Sequence, residues 1–284
     1  MKPDSRLVFS KLEALGNDFV LIDARTQPFS PSSDWLRRLA NRRLGVGCDQ
    51  ILVLITAEHT GAACRVRIHN ADGSLAEQCG NGMRAVALWL HERGELGEST
   101  SLQTDGGLVV VRRSDDGQFS VSLAEPAFAS DAWGSATSPD QWTEQIDGGA
   151  YPVRGVSMGN PHLVLRLKAA ADADLVVRLG EHFQGHPALP QGANINLAFG
   201  ETRNRISLRV NERGVGPTPA CGSGACATAV AYIHDGLADS PVSVIQPGGE
   251  LVIHWPGVGE SVTMTGPARH VFDGFLEPWT PSIR

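Results

Sequence analysis

The sequence predicts an α+β protein built as two pseudo-symmetric halves, each a mixed sheet wrapped around one central helix. Three observations predict it. A turn, Cys79-Gly80-Asn81-Gly82-Met83-Arg84-Ala85-Val86-Ala87, recurs 142 residues later as Cys221-Gly222-Ser223-Gly224-Ala225-Cys226-Ala227-Thr228-Ala229. The same offset aligns Arg67-Ile68-His69-Asn70 with Arg209-Val210-Asn211-Glu212, and Gly106-Gly107 with Gly248-Gly249. An offset of 143 aligns Leu15-Gly16-Asn17-Asp18-Phe19-Val20 with Met158-Gly159-Asn160-Pro161-His162-Leu163, and such a one-residue drift is what a loop insertion leaves.

The elements follow in order. Val8 to Leu12 and Phe19 to Asp23 read as strands divided by the Gly16-Asn17 turn, and Trp35 to Asn41 as a short amphipathic helix after a cap at Asp34. Ile51 to Ile55 is an apolar run of strand length, and the alternation at Val66 and Ile68 marks another strand, ending at Asn70-Ala71-Asp72-Gly73-Ser74. Each C-G-x-G turn opens a run suited to a buried helix, Met83 to His91 and Ala225 to His234, closed by Gly94 and Gly236. Hairpin signals pair Leu108–Arg113 with Phe119–Leu123, and Leu251–Trp255 with Val262–Thr265. Ala129 to Ala150, rich in Ser, Asp and Gly, reads as a linker or insertion between the halves.

Composition narrows the function classes. The 284 residues suffice for two domains, and 42% hydrophobic against 19% charged residues allows each a core. A net charge of −7 with scattered Lys and Arg leaves no basic footprint for nucleic acid. No apolar run approaches the roughly 20 residues that span a bilayer, so no membrane partner is expected. The start, Met1-Lys2-Pro3-Asp4-Ser5-Arg6, carries no apolar leader and points to a cytoplasmic protein. Five cysteines without paired C-x-x-C spacing suit reduced thiols better than disulfides or a structural zinc, and no metal is expected.

The repeated turn has a chemical logic. A thiolate is the form that abstracts a proton, and a helix start favours it through unsatisfied N–H groups and the macrodipole. Those N–H groups can also cradle a carboxylate. Two thiols meeting from opposite sides of one carbon would take a proton from one face and return one to the other, inverting the centre without a cofactor. Cys48, Cys64 and Cys226 lack the shared turn and read as small core residues. A dinucleotide fingerprint needs a strand before its first glycine. Ala76-Glu77-Gln78 and Pro217-Thr218-Pro219-Ala220 are poor strand endings.

Leu15-Gly16-Asn17-Asp18-Phe19, Gly47-Cys48-Asp49-Gln50, Arg67 to Ser74, Cys79-Gly80-Asn81-Gly82, Gly159-Asn160-Pro161-His162, Glu212-Arg213-Gly214, Ala220 to Cys226 and Met264-Thr265-Gly266-Pro267-Ala268 together resemble the diaminopimelate epimerase family. The resemblance runs from Phe9 to Phe275. It implies a cofactor-independent enzyme that interconverts LL- and meso-2,6-diaminopimelate on the way to lysine and peptidoglycan, with its site in a cleft between two domains. It implies domains at 1–127 and 128–270, a terminal segment 271–284 packing back on the first, and a homodimer. Matching positions make Cys79 and Cys221 the acid–base pair. Gly80, Asn81, Gly222 and Ser223 would offer donors to the reacting carboxylate. Asn17, Asn70, Asn160, Asn194, Glu212 and Arg213 would hold the substrate's ammonium and carboxylate groups. Gln50 would line the cleft and His162 support it.

Cys48, Pro217 and Pro219 depart from the commonest family pattern, away from the matched catalytic positions; the two prolines put the rigidity of the loop before Cys221 in question. Proline and hydroxyproline racemases or epimerases of the same fold are the alternative. Both cysteines argue against the branch of the fold that lacks them, and the Glu212-Arg213-Gly214 motif with the distal Asn set argues against an imino acid, which has no second amino-acid end.

Overall fold

The structure is a computed structural model that describes residues 6–129, 131–132, 140–187 and 189–277. Met1–Ser5 of the expected leaderless start, 130 and 133–139 of the expected linker, and 278–284 of the expected returning segment lie outside the described residues. The chain divides into two units, Met1–Val121 with Pro267–Arg284, and Ser122–Gly266.

The first unit contains β1 (Leu7–Ala14), β2 (Asn17–Asp23), α1 (Ser33–Ala40), β3 (Gln50–Ile55), β4 (Ala62–Asn70), β5 (Leu75–Ala76), α2 (Gly80–Glu92), β6 (Thr100–Thr104) and β7 (Gly107–Arg113). β8 (Phe119–Leu123) carries the chain across the division. The second contains β9 (Gln141–Ile146), β10 (Gly149–Ser157), β11 (Pro161–Arg166), α3 (Ala173–Phe183), β12 (Asn194–Thr202), β13 (Arg205–Glu212), β14 (Gly216–Thr218), α4 (Gly222–His234), β15 (Val242–Gln246), β16 (Gly249–His254) and β17 (Val262–Gly266). β18 (Arg269–Leu276) then pairs antiparallel with β1 in the first unit.

The repeat in the sequence is a repeat of topology. In the first unit β1–β2 is antiparallel, β2–β3 parallel, β3–β4 antiparallel and β4–β6 parallel. In the second, β10–β11, β11–β12, β12–β13 and β13–β15 follow the same senses in the same order. Each sheet is covered on both faces, which explains its apolar runs. Phe19, Val20, Leu21 and Ile22 of β2 are all buried. Val20 and Ile22, with Ile51 and Val53 of β3, pack with Leu36 and Leu39 of α1. Leu52 faces the opposite way, against Gly82 of α2. Helix α2 is buried from Asn81 through Ala87 and again at Trp89 and Leu90, the pattern of a helix enclosed on all sides. In the second unit α3 closes one face through Val176, Leu179 and Phe183, and α4 is buried almost throughout.

Several elements differ from the expectation, for physical reasons. Ser32, not Asp34, caps α1 by accepting from the Trp35 N–H; Asp34 stands in the first turn, where its charge suits the helix dipole. The expected linker contains β9, because Trp142 and Ile146 fall on one face of a strand and reach the second core. The returning segment pairs from Arg269 onward, opposite Glu13, two residues before its expected start. Ser10 Oγ fixes it by donating to Asp273 Oδ1 at 2.5 Å. Helix α3 and strands β5, β6 and β10 to β15 were not among the individually expected elements; Thr100-Ser101-Leu102-Gln103-Thr104 and Val242-Ser243-Val244-Ile245-Gln246, for example, are revealed by their pairing.

Candidate active site

Both repeated cysteines are helix N-caps in extended backbone, Cys79 at φ −148° and Cys221 at φ −125°. The first-turn N–H groups of Gly80 and Asn81, and of Gly222 and Ser223, have no carbonyl one turn back, so they remain donors for an anion. A shared bond shapes each approach: Gly106 N–H donates to the Glu77 carbonyl at 2.9 Å, and Gly248 N–H to the Pro219 carbonyl at 2.7 Å. Pro219 therefore offers the acceptor its position requires, and Pro217 sits in β14 opposite Asn211.

The surrounding predicted residues occupy three equivalent positions in the two units. Asn17 and Asn160 stand at the entry to β2 and β11; Gln50 and Asn194 begin β3 and β12; Asn70 and Glu212 end β4 and β13. The sheet brings each trio to one edge. Gln50 pairs with both Phe19 and Asn70. Asn194 pairs with His162, and the adjoining Ile195 with Asn211.

Around Cys79, the Asn17 side-chain oxygen lies 3.9 Å from Sγ and accepts from Asn81 Nδ2 at 3.4 Å. Asn17 Nδ2 in turn donates to Asp49 at 3.0 Å. Cys79 Sγ accepts the Gly82 N–H at 3.3 Å. Gln50 donates to Asn70 at 3.0 Å. Arg84, wholly buried, donates to Asn81 Oδ1 at 3.0 Å. Behind Asn17, burial opposes ionisation of Asp18, yet Arg42 and Lys11 hold its carboxyl well below the usual range.

Cys221 has a different setting. Its N–H donates to Gln246 Oε1 at 2.8 Å, and its sulfur is 3.6 Å from Ser223 Oγ. Burial pushes its thiol strongly up, the Glu212 carboxylate adds to this, and Ser223 and the Gly224 N–H oppose it only in part. The helix-start argument alone predicted a lowered value; for Cys221 the structure reverses it, because the dipole of a helix end is weaker than full burial beside a carboxylate. Glu212 Oε1 accepts from Thr218 Oγ1 at 2.5 Å. Asn194 accepts the Arg213 N–H at 3.1 Å and donates to the Pro161 carbonyl at 3.0 Å.

His162 is fully buried, with Nδ1 3.2 Å from Asn196 Nδ2 and Nε2 3.1 Å from Asn160 Oδ1. An amide NH₂ only donates, so Nδ1 is the acceptor and Nε2 carries the proton given to Asn160. Burial, reinforced by Arg213, pushes the ring down to about 3 despite the Asn196 bond, so it is neutral near pH 7.

The two units differ most beneath their cysteines. Phe19, Leu52, Val86 and Thr104 of the first correspond to His162, Asn196, Thr228 and Gln246 of the second, all buried. A Cβ on Gly82 would meet Leu52, and one on Gly224 would meet Asn196 Oδ1, which confirms the correspondence. Sequence reasoning missed Arg84, Asp49, Asn196, Thr218 and Gln246. Asn196 had a faint signal, since Asn194 and Asn196 share one strand face; Asp49 and Arg84 lay inside quoted motifs and Thr218 just before the second cysteine, while Gln246 had none. Cys48 and Cys64 are buried, with burial pushing them up to about 12 and about 11, and Cys226 is buried in α4.

The sequence profile of the diaminopimelate epimerase family matches residues 9–128 and 155–271. The diaminopimelate epimerase of Halorhodospira halophila is 44% identical over 272 residues, covering 95% of this chain and 94% of that one. That of Thioalkalivibrio sulfidiphilus is 43% identical over 280 residues, covering 96% and 99%. Among solved structures, a PhzF-family phenazine biosynthesis protein from Bacillus anthracis superposes with a TM-score of 0.70 at 18% identity, covering 96% of this chain and 99% of that one. A probable proline racemase from Agrobacterium radiobacter, with bound carbonate, gives 0.69 at 16%, covering 98% and 94%. At such identities the superpositions establish the pseudo-symmetric two-domain fold alone.

Proposed function

The chain belongs to the diaminopimelate epimerase family, and from that premise we propose that Cys79 and Cys221 carry out its reaction as a thiolate–thiol pair. It is an isomerase of the racemase/epimerase class and epimerises LL-2,6-diaminopimelate to the meso form. One thiolate removes the α-proton, forming an S–H bond as the C–H bond breaks. The other thiol delivers its proton to the opposite face of the same carbon, which balances the step without an oxidant.

The single observation that supports this reading is the duplicated placement of a cysteine at the start of a buried helix, with amide or carboxylate side chains at the same three strand ends. The N–H groups of Gly80, Asn81, Gly222 and Ser223 stabilise the charge that builds on the reacting carboxylate. Asn17, Gln50, Asn70, Asn160, Asn194, Glu212 and Arg213 hold the ammonium and carboxylate groups, and His162 positions Asn160. Burial and Glu212 favour the protonated form of Cys221. Its role reverses with the direction of turnover.

The reaction needs no pyridoxal cofactor, since the two thiols supply both proton transfers, and it serves lysine and peptidoglycan precursors in the cytoplasm. No helix among the described residues is long and apolar enough to cross a membrane. Val8 and Phe275, cross-strand neighbours on β1 and β18, are 56% and 55% exposed, and this apolar pair supports a homodimer. The deciding experiment is exchange in heavy water. Deuterium enters diaminopimelate at the inverted α-carbon while proline stays inert; exchange into proline alone would transfer the assignment to the proline racemases.

A further inference from the structure

Glu144, His182 and His186 bring three ligand atoms within 4.8 Å of one another, and we propose that they form a binding site for a divalent transition metal such as zinc or cobalt. The inference is independent of the thiol chemistry.

Glu144 lies on β9 between Trp142 and Ile146, on the strand face that packs on the second core. A carboxylate there is only 18% exposed and needs partners. Trp142 Nε1 donates to its Oε2 at 2.7 Å, which anchors the group and leaves Oε1 facing the two imidazoles. Such a second bond to a ligating carboxylate is the usual support of a metal site. His182 Nε2 is 3.3 Å and His186 Nε2 3.8 Å from that same oxygen.

The two histidines are fixed by different means. His182 belongs to the last turn of α3, and its ring stands edge-on to Phe183. His186 follows the helix in a turn closed by its own N–H to the Phe183 carbonyl at 3.2 Å and by Leu189 N–H to the His186 carbonyl at 2.8 Å.

The spacing suits a metal. Bonds of about 2.0–2.1 Å in a tetrahedron place ligand atoms about 3.3 Å apart. Of the two separations from Glu144 Oε1 one matches this and the other needs a small closure of the His186 ring, and the two imidazole nitrogens lie within 4.8 Å of each other. Two imidazoles and one carboxylate favour zinc, cobalt or nickel over magnesium or calcium. Side-chain exposures of 30% and 22% for the histidines leave a path to solvent and room for a water as the fourth ligand. The site does not touch the cysteines. It pins the segment between α3 and β12, whose Gln191 carbonyl accepts from Arg213 Nη1 at 3.3 Å. Its role is therefore to steady that segment.

The test is titration of the chelator-treated full-length protein with cobalt(II), followed by visible absorption and by X-ray absorption at the cobalt edge. One equivalent should bind saturably with an imidazole signature, zinc should displace it, and the melting temperature should rise on loading. His182→Gln and His186→Gln should each weaken binding more than about tenfold, while the metal-free variants keep wild-type turnover and melting. If neither variant folds, the cobalt spectrum of the wild type alone decides. Sulfur in the first coordination shell, equal uptake by wild type and folded variants, or no saturable uptake by the wild type would each overturn the proposal.

Discussion

The Nε2–H of His162 donates to Asn160 Oδ1 across 3.1 Å from a ring with no exposed surface. The second unit thus orients an asparagine with a neutral imidazole, where the first unit places Phe19 and ties Asn17 to Asp49 instead.

That pair makes stability depend on pH. The folded ring is pushed down to about 3 from 6.5, so between those values the unfolded chain binds a proton the folded one refuses. Stability is fully present above pH 6.5 and falls as the medium is acidified towards pH 3, by about 2–3 kcal/mol near pH 4.5 on the usual conversion. His162→Phe, which installs the first unit's residue, should flatten this component. Urea unfolding of both proteins across the range measures it, and parallel curves would refute it.

The thiols should differ in reactivity. Cys221 is 5% exposed and held protonated by burial and Glu212, whereas Cys79 is only half-buried. Iodoacetamide near neutral pH should label Cys79 before Cys221, as read by peptide mass spectrometry. Glu212→Gln should speed labelling of Cys221, because the like charge that disfavours its thiolate is gone. Unchanged labelling in that variant would remove Glu212 from the account.

Cys79→Ala and Cys221→Ala should each lower epimerisation by roughly 10²–10⁴-fold, the range for losing one positioned acid or base. Coupled measurement of LL-to-meso conversion checks this. A single variant with near-normal turnover would contradict the two-thiol scheme.

Alanine at the repeated glycines should not be equivalent. On Gly224 the new Cβ would lie 2.9 Å from Asn196 Oδ1, whose amide is held through its Nδ2 bond to His162 Nδ1. On Gly82 it would lie 3.2 Å from Leu52 Cδ2, a methyl group that can shift. Gly224→Ala is expected to cost about 1–3 kcal/mol, the usual range for overpacking, and Gly82→Ala less. Thermal melts rank the two, and equal losses would show that Asn196 moves freely.

Much of the fold was legible because the repeat and the runs at Val20–Ile22 and Ile51–Leu54 signal buried strands locally. Strands β6, β9 and β15 were not: each is short and mostly polar or weakly alternating, and what makes it a strand is its hydrogen bonding to the strand that follows it, β7, β10 and β16. At the site, Asn17, Asn160 and both cysteines sit in repeated motifs. Gln246 does not, and Arg84, although it stands in the repeated turn, has as its counterpart Cys226, which shares no chemistry with it.

By itself the sequence determined the duplicated frame, the two helix-capping cysteines and the family to which they belong, because turns, periodicity and small-residue helices are encoded by near neighbours. Only the tertiary structure decided that burial and Glu212 favour the protonated form of Cys221, which His162 nitrogen donates and that Glu144 meets two histidines. Protonation and ligand geometry depend on burial and on groups that the fold brings together, such as Glu144 with His182 and His162 with Asn196, 38 and 34 residues apart in the chain, and no local pattern records such distances.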